Sequence, residues 1–335
     1  MYSLNIHNKI SEVKNIWIEF QNSNMILSPF QYYDYNEHIY RQIKTFSLFS
    51  KKAIFAVLYK ENKPIAIAPI IINKSSNLIT LLQDISGSGS ADFIYESSCK
   101  SEDLCELLSL IAITYKYKFL FQGIPSYSPL FEALTLYQKT YNIKQNSLVN
   151  IHFGNDPEMY FKSLSKNSRQ NIRTAINRLN TKSYNLDFKI IDSTIPCKKS
   201  IIRQIFNLYY KRRISKYGNK KIKSIISSKL ASQFKHDSQS LKKSENRFYS
   251  YITINGEIAA VLLGFVNISH TSLYVPRLAI NEDFYFYSPG IILINKTIEY
   301  LIQNSSIRNL DLTKGDEKYK FQMGGEIYHT YTISF

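Results

Sequence analysis

The chain has 335 residues, and 44% of them are apolar, which is enough for two domains that each bury a core. Its 42 basic and 26 acidic residues give a formal net charge of +16, which favours an anionic partner: nucleic acid, an acidic membrane surface or a phosphorylated small molecule. No stretch approaches the roughly 20 apolar residues that cross a bilayer, and no apolar signal segment opens the chain, so we expect a cytoplasmic protein without a transmembrane segment.

No metal or covalent chemistry is predicted. The three cysteines, Cys99, Cys105 and Cys197, have no CxxC spacing and indicate neither a disulfide framework nor a zinc site. The six histidines form no metal-ligand grouping, and the sequence contains neither a P-loop nor a G-x-S-x-G nucleophile motif. We therefore expect no metal cofactor.

Two predicted β-hairpins occur at matching places in the two halves of the chain. The first half opens with helices over residues 17–49 and continues with KKAIFAVLYKENKPIAIAPIII, two apolar runs that turn at residues 60–63. The second half contains RFYSYITINGEIAAVLLGFV, where Asn255 and Gly256 can supply the positive φ angles of a tight turn.

The same order of elements follows each hairpin: a strand, a loop with small residues, a helix, a second strand and a short returning segment. In the first half these are NLITLLQ, SGSGSADF, a helix near residues 101–113, KFLFQGI and SPLFEALTLYQ. In the second half they are HTSLYVPRL, NEDFYFYSPG, IILINKTIEYLI, IRNLDLT and KGDEKYKFQMGG. Two copies of a mixed α/β unit explain this repetition, although α/β chains in general share such an order.

A basic helical segment, DPEMYFKSLSKNSRQNIRTAINRL, is predicted to open the second copy. Asp156 is an expected N-cap, because it precedes a proline at the first helical turn. Apolar residues recur mostly at helical spacing, at Phe161, Leu164, Ile172, Ile176 and Leu179. We therefore predict a boundary near residues 145–155, with an N-terminal domain over 1–150 and a C-terminal domain over 151–335.

The turn at Tyr287, Ser288, Pro289 and Gly290 lies between a predicted strand and a predicted helix. Glycine at such a junction lets a phosphate approach backbone N–H groups, and the helix N-terminus adds the positive end of its dipole. The pyrophosphate of coenzyme A would fit there. A purely structural turn is the alternative, because serine, proline and glycine are ordinary capping residues.

The stretch LAINEDFYFYSPGIILINKTIEYLI, followed by LDLTKGDEKYKFQMGG, resembles the C-terminal signature of the FemAB/CelD-like branch of the GNAT acyltransferases. The shared features are the tyrosine-serine-proline-glycine turn, the helix, the strand with its aspartate, the glycine and the tyrosine–lysine pair. The resemblance implies an α/β (α+β) fold of tandem GNAT-like domains, each a mixed, mostly antiparallel sheet flanked by helices. It implies that the N-terminal domain is degenerate and on the acceptor side, and that the C-terminal domain binds acyl-CoA.

The resemblance also implies a donor site. Tyr274 and Val275 would bind the thioester through the backbone of their strand and stabilise the oxyanion. The pyrophosphate loop would consist of Tyr287, Ser288, Pro289, Gly290 and Ile291. Tyr287 and Ile292 stand where the common GNAT pattern has arginine and a final glycine or alanine, so the chain departs from that pattern.

Tyr319 would protonate the departing thiolate, although Gly324 follows it by five positions where four is commoner. A core tyrosine is the alternative. Asp311 and Asp92 are candidate catalytic carboxylates that could accept a proton or hold a substrate hydroxyl, and both could equally be turn residues.

Three basic residues fall on family motifs and are predicted to bind substrate: Lys320, Arg169 and Arg173. The two arginines are four residues apart, so they share a helical face and could clamp a phosphate. A solvated face is the alternative.

We therefore expect an acyltransferase that uses acetyl-CoA or another acyl-CoA as co-substrate. In the expected reaction, an acceptor amine attacks the thioester of that acyl-CoA directly. The acceptor would be a small molecule containing sugar or phosphate: an amino sugar, a nucleotide-linked sugar or another cell-envelope or polysaccharide precursor. A Fem-type aminoacyl-tRNA-dependent peptidoglycan bridge ligase is the alternative, which the short Lys-rich segment at residues 197–245 disfavours. A non-catalytic nucleic-acid-binding protein is a second alternative, but no RNA-recognition or helix-turn-helix motif supports it, and no DNA partner is expected.

Overall fold

A computed structural model describes residues 1–23, 28–46, 51–86, 88–137, 142–192, 198–216 and 246–335. The chain divides into two compact units: unit 1 is Met1–Leu148 with Tyr328–Phe335, and unit 2 is Val149–Ile327. This division assigns the last eight residues to unit 1, whereas the domain boundaries of 1–150 and 151–335 remain a prediction. Cys197 and most of the Lys-rich segment lie outside the described residues. Within the described ranges, no helix is long and apolar enough to cross a membrane.

Unit 1 is built around a mixed sheet in the order β1-β2-β3-β4-β6-β13, with β5 paired to β3. All neighbouring pairs are antiparallel except β4 and β6, which are parallel. Its elements are β1 (Tyr2–His7), α1 (Lys14–Ser23), α2 (Tyr33–Phe46), β2 (Lys51–Lys60), β3 (Lys63–Asn73), β4 (Leu78–Leu81), β5 (Ile94–Tyr95), α3 (Ser101–Tyr115), β6 (Lys118–Pro125) and α4 (Pro129–Tyr137). Strands β7 (Asn142–His152) and β13 (Gly325–Ser334) run across the boundary between the units.

Unit 2 contains the strands β8-β9-β10-β11-β12 in that order. The pairs are antiparallel except β11 and β12, which are parallel. Its elements are α5 (Pro157–Ser163), α6 (Lys166–Thr181), β8 (Leu186–Asp192), α7 (Lys199–Lys216), β9 (Arg247–Ile254), β10 (Glu257–Val266), β11 (Ser272–Ile280), α8 (Pro289–Asn304), β12 (Asn309–Lys314) and α9 (Lys318–Gln322).

Both predicted hairpins form, and left-handed turn residues close them. Glu61 and Asn62 join β2 to β3 with φ of 52° and 66°, and Asn255 and Gly256 join β9 to β10 with φ of 49° and 82°. These are the angles that a two-residue turn needs if it is to match the twist of its strands. The predicted repetition of elements after each hairpin is also observed.

The predicted basic helical segment is two helices rather than one. Asp156 caps α5, as predicted, by accepting a hydrogen bond from the Glu158 N–H at 2.8 Å. Leu164 then leaves the helical conformation, and Ser165 caps α6 by accepting from the Ser168 N–H. A serine side chain can satisfy a free N–H at a new helix start, so the break occurs there.

The core of unit 2 lies between this sheet and its helices. Leu164, Ile172 and Leu179 are buried, and Phe161 and Ile176 pack against the core, in agreement with the predicted apolar spacing. Helix α8 buries one broad apolar face against the sheet. The face also carries a polar contact, in which the hydroxyls of Ser250 and Thr297 lie 2.7 Å apart.

Candidate active site

The parallel strands β11 and β12 of unit 2 separate partway along their length. Their register comprises Ser272 with Asn309, Leu273 with Leu310, and Tyr274 with Asp311, after which β11 continues to Ile280 and β12 to Lys314. A gap between two parallel strands exposes backbone N–H and C=O groups that a ladder would otherwise pair. The predicted residues Tyr274, Val275 and Asp311 meet at this gap.

A bulge in β11 sits where the strands separate. Tyr274 pairs with Phe265 and Arg277 with Leu263, so Val275 and Pro276 together face the single residue Gly264 of β10. A Cβ on Gly264 would lie 2.5 Å from the Tyr274 carbonyl oxygen, so only glycine fits at this approach. Pro276 has no N–H, so the bulge leaves no unpaired donor at that residue.

Side chains of β12 fix the gap from its other edge. Thr313 has a left-handed φ of 52°, and its N–H donates to the Asp311 carboxylate at 2.7 Å. Its hydroxyl donates to the Val275 carbonyl at 3.2 Å. Asp311 is buried, so the carboxylate holds Thr313, and Thr313 in turn holds the bulge.

Lys320 is almost fully buried, with 2% of its surface exposed. Its ammonium nitrogen lies 2.9 to 3.1 Å from the carbonyl oxygens of Leu312, Thr313, Lys314 and Gly315, which share its three N–H donors, and 3.2 Å from the Glu317 carboxylate. Burial lowers the pKa of Lys320, and Glu317 and Asp311 oppose that effect. An ammonium enclosed by four backbone carbonyls and one carboxylate favours a role in holding the β12–α9 turn over the predicted role in substrate binding.

Tyr319 precedes Lys320 on the short helix α9. It is half-buried against the core of unit 2, and its hydroxyl has no hydrogen-bond partner among the described residues. Burial raises the pKa of Tyr319 above its usual value, and the nearby Glu317 charge adds to this effect. The phenol is therefore protonated at neutral pH and has its proton available for a ligand.

The predicted pyrophosphate loop begins helix α8. Ser288 has φ 50° and ψ 51°, a left-handed conformation that turns the chain into the helix, and buried Pro289 occupies the first helical turn. A Cβ on Gly290 would lie 3.1 Å from Ile280 Cγ2, so this glycine lets the helix start close to the end of β11. Gly290 and Ile291 are half-buried. The Ile291 N–H donates to the Ser288 carbonyl and the Ser288 N–H to the Tyr285 carbonyl, each at 3.1 Å, so the Gly290 N–H is the donor that this helix start offers to a ligand.

The two predicted substrate-binding arginines differ in their contacts. Arg169 donates to the carbonyl groups of Lys162 and Leu164 and so caps the end of α5. Arg173 is exposed, with its guanidinium carbon 5.4 Å from the centre of the Phe161 ring. Arg169 is thus structural in this geometry, whereas Arg173 retains an exposed charge.

Asp92 lies in unit 1 and is buried. Its carboxylate accepts hydrogen bonds from the Phe93 N–H at 2.7 Å and from the Tyr95 hydroxyl at 3.3 Å. Burial raises the pKa of Asp92 to about 7, against the opposing effect of a hydrogen bond with Ser128. These contacts favour a structural role over the predicted catalytic one.

Unit 1 contains an equivalent pair of parallel strands, β4 and β6, but other residues of unit 1 fill the gap between them. The register of β4 and β6 ends at Thr80 with Leu120. Beyond it, the Asp84 carboxylate accepts from the backbone N–H groups of Leu81 and Gln122. Burial raises the pKa of Asp84 well above its usual value, and those two hydrogen bonds oppose the effect.

The loop after β4 completes this filling. The Ala91 N–H donates to the Gly123 carbonyl of β6 at 2.9 Å. A Cβ on Gly123 would lie 2.7 Å from the Gly89 carbonyl oxygen, so the two backbones are in direct contact. In unit 2 the loop after β11 returns to β10 instead, through a hydrogen bond from the Asn281 N–H to the Ala259 carbonyl.

Sequence reasoning missed two residues that shape the unit 2 gap. Gly264, a glycine inside a strand, is a recognised sign of a bulge or close backbone approach and could have been identified. Thr313 carries no such sign, because its left-handed φ and its bond to Val275 depend on the fold. Among the described residues, no group of three His, Cys, Asp or Glu side chains could hold a metal ion.

Comparisons with known proteins identify the fold. Residues 166–321 match the sequence family described as Acetyltransferase (GNAT) domain. A tandem GNAT protein from the clavulanic acid biosynthesis pathway has a TM-score of 0.52 at 8% identity, covering 100% of this chain and 98% of that chain. The C-terminal domain (DUF2156) of a putative lysylphosphatidylglycerol synthetase from Agrobacterium fabrum has a TM-score of 0.57 at 9% identity, covering 97% and 92%. FemX has a TM-score of 0.51 at 12% identity, covering 99% and 96%.

No curated protein sequence matches the chain. At these identities the likeness to solved structures is one of fold. The GNAT prediction is confirmed at the level of fold: residues 166–321 match a GNAT acetyltransferase domain family, and the chain shares the fold of a tandem GNAT protein.

Proposed function

We propose that the chain is an acyl-CoA-dependent N-acyltransferase whose donor site is the gap between β11 and β12. The observation that carries this proposal is the bulge at Val275 and Pro276, which lies where the parallel strands separate and on the strand that ends beside the start of α8. A thioester carbonyl in the gap would accept a hydrogen bond from a backbone N–H of β11 beyond the last ladder pair. The pyrophosphate would bind at Ser288, Gly290 and Ile291.

In the proposed reaction, an acceptor amine attacks the thioester carbonyl carbon and forms a tetrahedral oxyanion. A backbone N–H of β11 beyond the bulge stabilises that oxyanion, because a fixed backbone donor needs no reorganisation as charge develops. The attacking nitrogen loses a proton to solvent, the carbon–sulfur bond breaks, and the Tyr319 hydroxyl gives its proton to the thiolate and is reprotonated from solvent. Asp311 and Lys320 act indirectly, by fixing Thr313 and the turn that carries Tyr319.

The proposed acceptor is an amino sugar, a nucleotide-linked sugar or another cell-envelope precursor. Its support is the net charge of +16, which suits a phosphate-bearing acceptor. Arg173, the exposed member of the predicted pair, is the residue that we expect to contact it. The filled gap of unit 1 favours one acyl-CoA per chain, bound by unit 2.

Ligand-induced stabilisation and calorimetry test the proposal. We expect millimolar acetyl-CoA to raise the melting temperature, since a ligand that binds only the native state stabilises it, and we expect one site per chain. Gly290→Val should weaken acetyl-CoA binding, whereas Gly154→Val is the control because a Cβ there meets nothing within 4 Å. Stabilisation by aminoacyl-tRNA and none by acetyl-CoA would instead support the Fem-type ligase.

A further inference from the structure

We propose that Arg178, Tyr285 and Phe286 form a subsite for the 3′-phosphoadenosine part of acyl-CoA. This inference rests on the proposed function, which puts the pyrophosphate of the donor at the start of α8. In coenzyme A the adenosine is attached to that pyrophosphate, at the end opposite the pantetheine. A residue that binds adenosine must therefore lie beside the start of α8 and outside the gap that holds the thioester.

Two consecutive aromatic side chains meet this requirement. Tyr285 and Phe286 belong to the 3-10 helix Glu282–Tyr287, directly before Ser288, and are 70% and 61% exposed. The next residue, Tyr287, instead packs on Tyr184, with ring centres 5.5 Å apart. Phe286 meets the Tyr287 ring edge to face, with ring centres 5.3 Å apart, and both Tyr285 and Phe286 still keep most of their surface exposed. Exposed aromatic faces are surfaces on which purine rings stack.

Arg178 of α6 supplies a fixed positive charge beside these rings. Its Nη1 donates to the Phe286 carbonyl at 2.7 Å, and its guanidinium carbon lies 4.4 Å from the centre of the Phe286 ring. Arg178 forms no ion pair with the described residues. Since a guanidinium has five N–H donors and one is engaged here, the others are available to a phosphate.

The acidic residues of the same turn do not cancel this charge. Glu282 is paired with Arg212 and also accepts a hydrogen bond from Ser215. Those two contacts lower the pKa of Glu282 below its usual value. Asp283 is the remaining carboxylate on the turn, and it is exposed to solvent. A phosphate at Arg178 would therefore meet one unpaired solvated carboxylate and one guanidinium already oriented by the Phe286 ring.

Calorimetry with three truncated ligands tests the assignment. CoA carries the whole 3′-phosphoadenosine, dephospho-CoA lacks the 3′-phosphate, and 4′-phosphopantetheine lacks the nucleotide. We expect Phe286→Ala to weaken CoA binding about tenfold, the usual size of a base–aromatic stack, and to leave 4′-phosphopantetheine binding unchanged. Arg178→Gln should remove the preference for CoA over dephospho-CoA. Met159→Ala, at a 63% exposed position on α5, is the control and should change none of the affinities.

The outcomes separate the subsite from the proposed function. Equal affinity of the wild-type protein for CoA and 4′-phosphopantetheine would overturn the subsite and leave the donor site in place. The same holds if Phe286→Ala weakens both ligands equally, because the change would then act through the loop. If the wild-type protein binds none of the three ligands, the proposed function itself fails. Thermal melts of each variant show whether it is folded during the measurement.

Discussion

Gly264→Ala should disturb the proposed donor site by pushing β11 away from β10. The added Cβ would stand 2.5 Å from the Tyr274 carbonyl oxygen and 2.9 Å from Leu273 Cδ1, whereas ordinary contacts begin at 3.4 Å. Strand β11 must therefore move by about 0.9 Å at Tyr274. Tyr274 immediately precedes the bulge, so the backbone of the bulge moves with it.

The expected losses follow from that displacement. Overpacking of this kind costs about 1 to 3 kcal/mol in the free energy of unfolding. Misplacement of a reacting group by about 1 Å costs on the order of a hundredfold in rate. Urea denaturation measures the first quantity, and the release of CoA from acetyl-CoA with an amino-sugar acceptor measures the second.

Gly154→Ala is the matched control for this experiment. It is the same substitution in the same unit, and the new Cβ would meet nothing within 4 Å. We expect near-normal stability and turnover for that variant. If Gly264→Ala behaves like Gly154→Ala in both assays, the bulge does not hold the reacting thioester and the reasoning fails.

Three further predictions concern Tyr319, Lys320 and Asp92. Tyr319→Phe should lower turnover by roughly a hundredfold to ten-thousandfold. The thermal melt should change little, because the hydroxyl has no partner among the described residues. A variant that keeps more than about a third of the turnover would exclude Tyr319 as the general acid. Lys320→Met should cost about 3 kcal/mol in urea denaturation, since it leaves the carbonyls of the β12–α9 turn unpaired, and an unchanged midpoint would contradict the contacts described. Asp92 has a folded-state pKa of about 7 against roughly 3.9 unfolded, so its contribution to stability is lost as pH rises from about 4 to about 7. Between pH 5 and 7 this amounts to about 2 kcal/mol, which Asp92→Asn should remove; equal pH slopes for the two proteins would argue against it.

Local patterns predicted most of the elements of the fold. The hairpins follow from alternating runs that meet at turn residues such as Asn255 and Gly256, whose φ angles the turn demands. The α5 cap follows from Asp156 beside a proline. The sequence patterns did not predict β8, which pairs with β9 across a long stretch of chain. They also predicted α5 and α6 as one helix, because a serine cap favours a break over a continuous helix by only a small free energy.

The chemistry of the site was less predictable, because it depends on contacts between distant residues. The spacing that selected Tyr319 and Asp311 is local, and the structure brings the strands and the turn that carry them to one region of unit 2. The same spacing could not show that Lys320 is buried on four carbonyl groups, or that Arg169 bonds to the end of α5. Whether a cation meets a ligand or a backbone carbonyl depends on side-chain direction in the folded state, which helical periodicity alone does not specify.

The filled gap of unit 1 limits how this protein could change. Gly89 and Gly123 touch backbone to backbone, so no side chain there can be trimmed to open the space. Asp84→Ala would remove the carboxylate but leave the loop on β6, where the Ala91 N–H still bonds to the Gly123 carbonyl. A second donor site would therefore require a loop of different length and path. Point substitutions can tune the proposed site in unit 2, whereas unit 1 could acquire one only through insertion, deletion or recombination of the segment around Gly89.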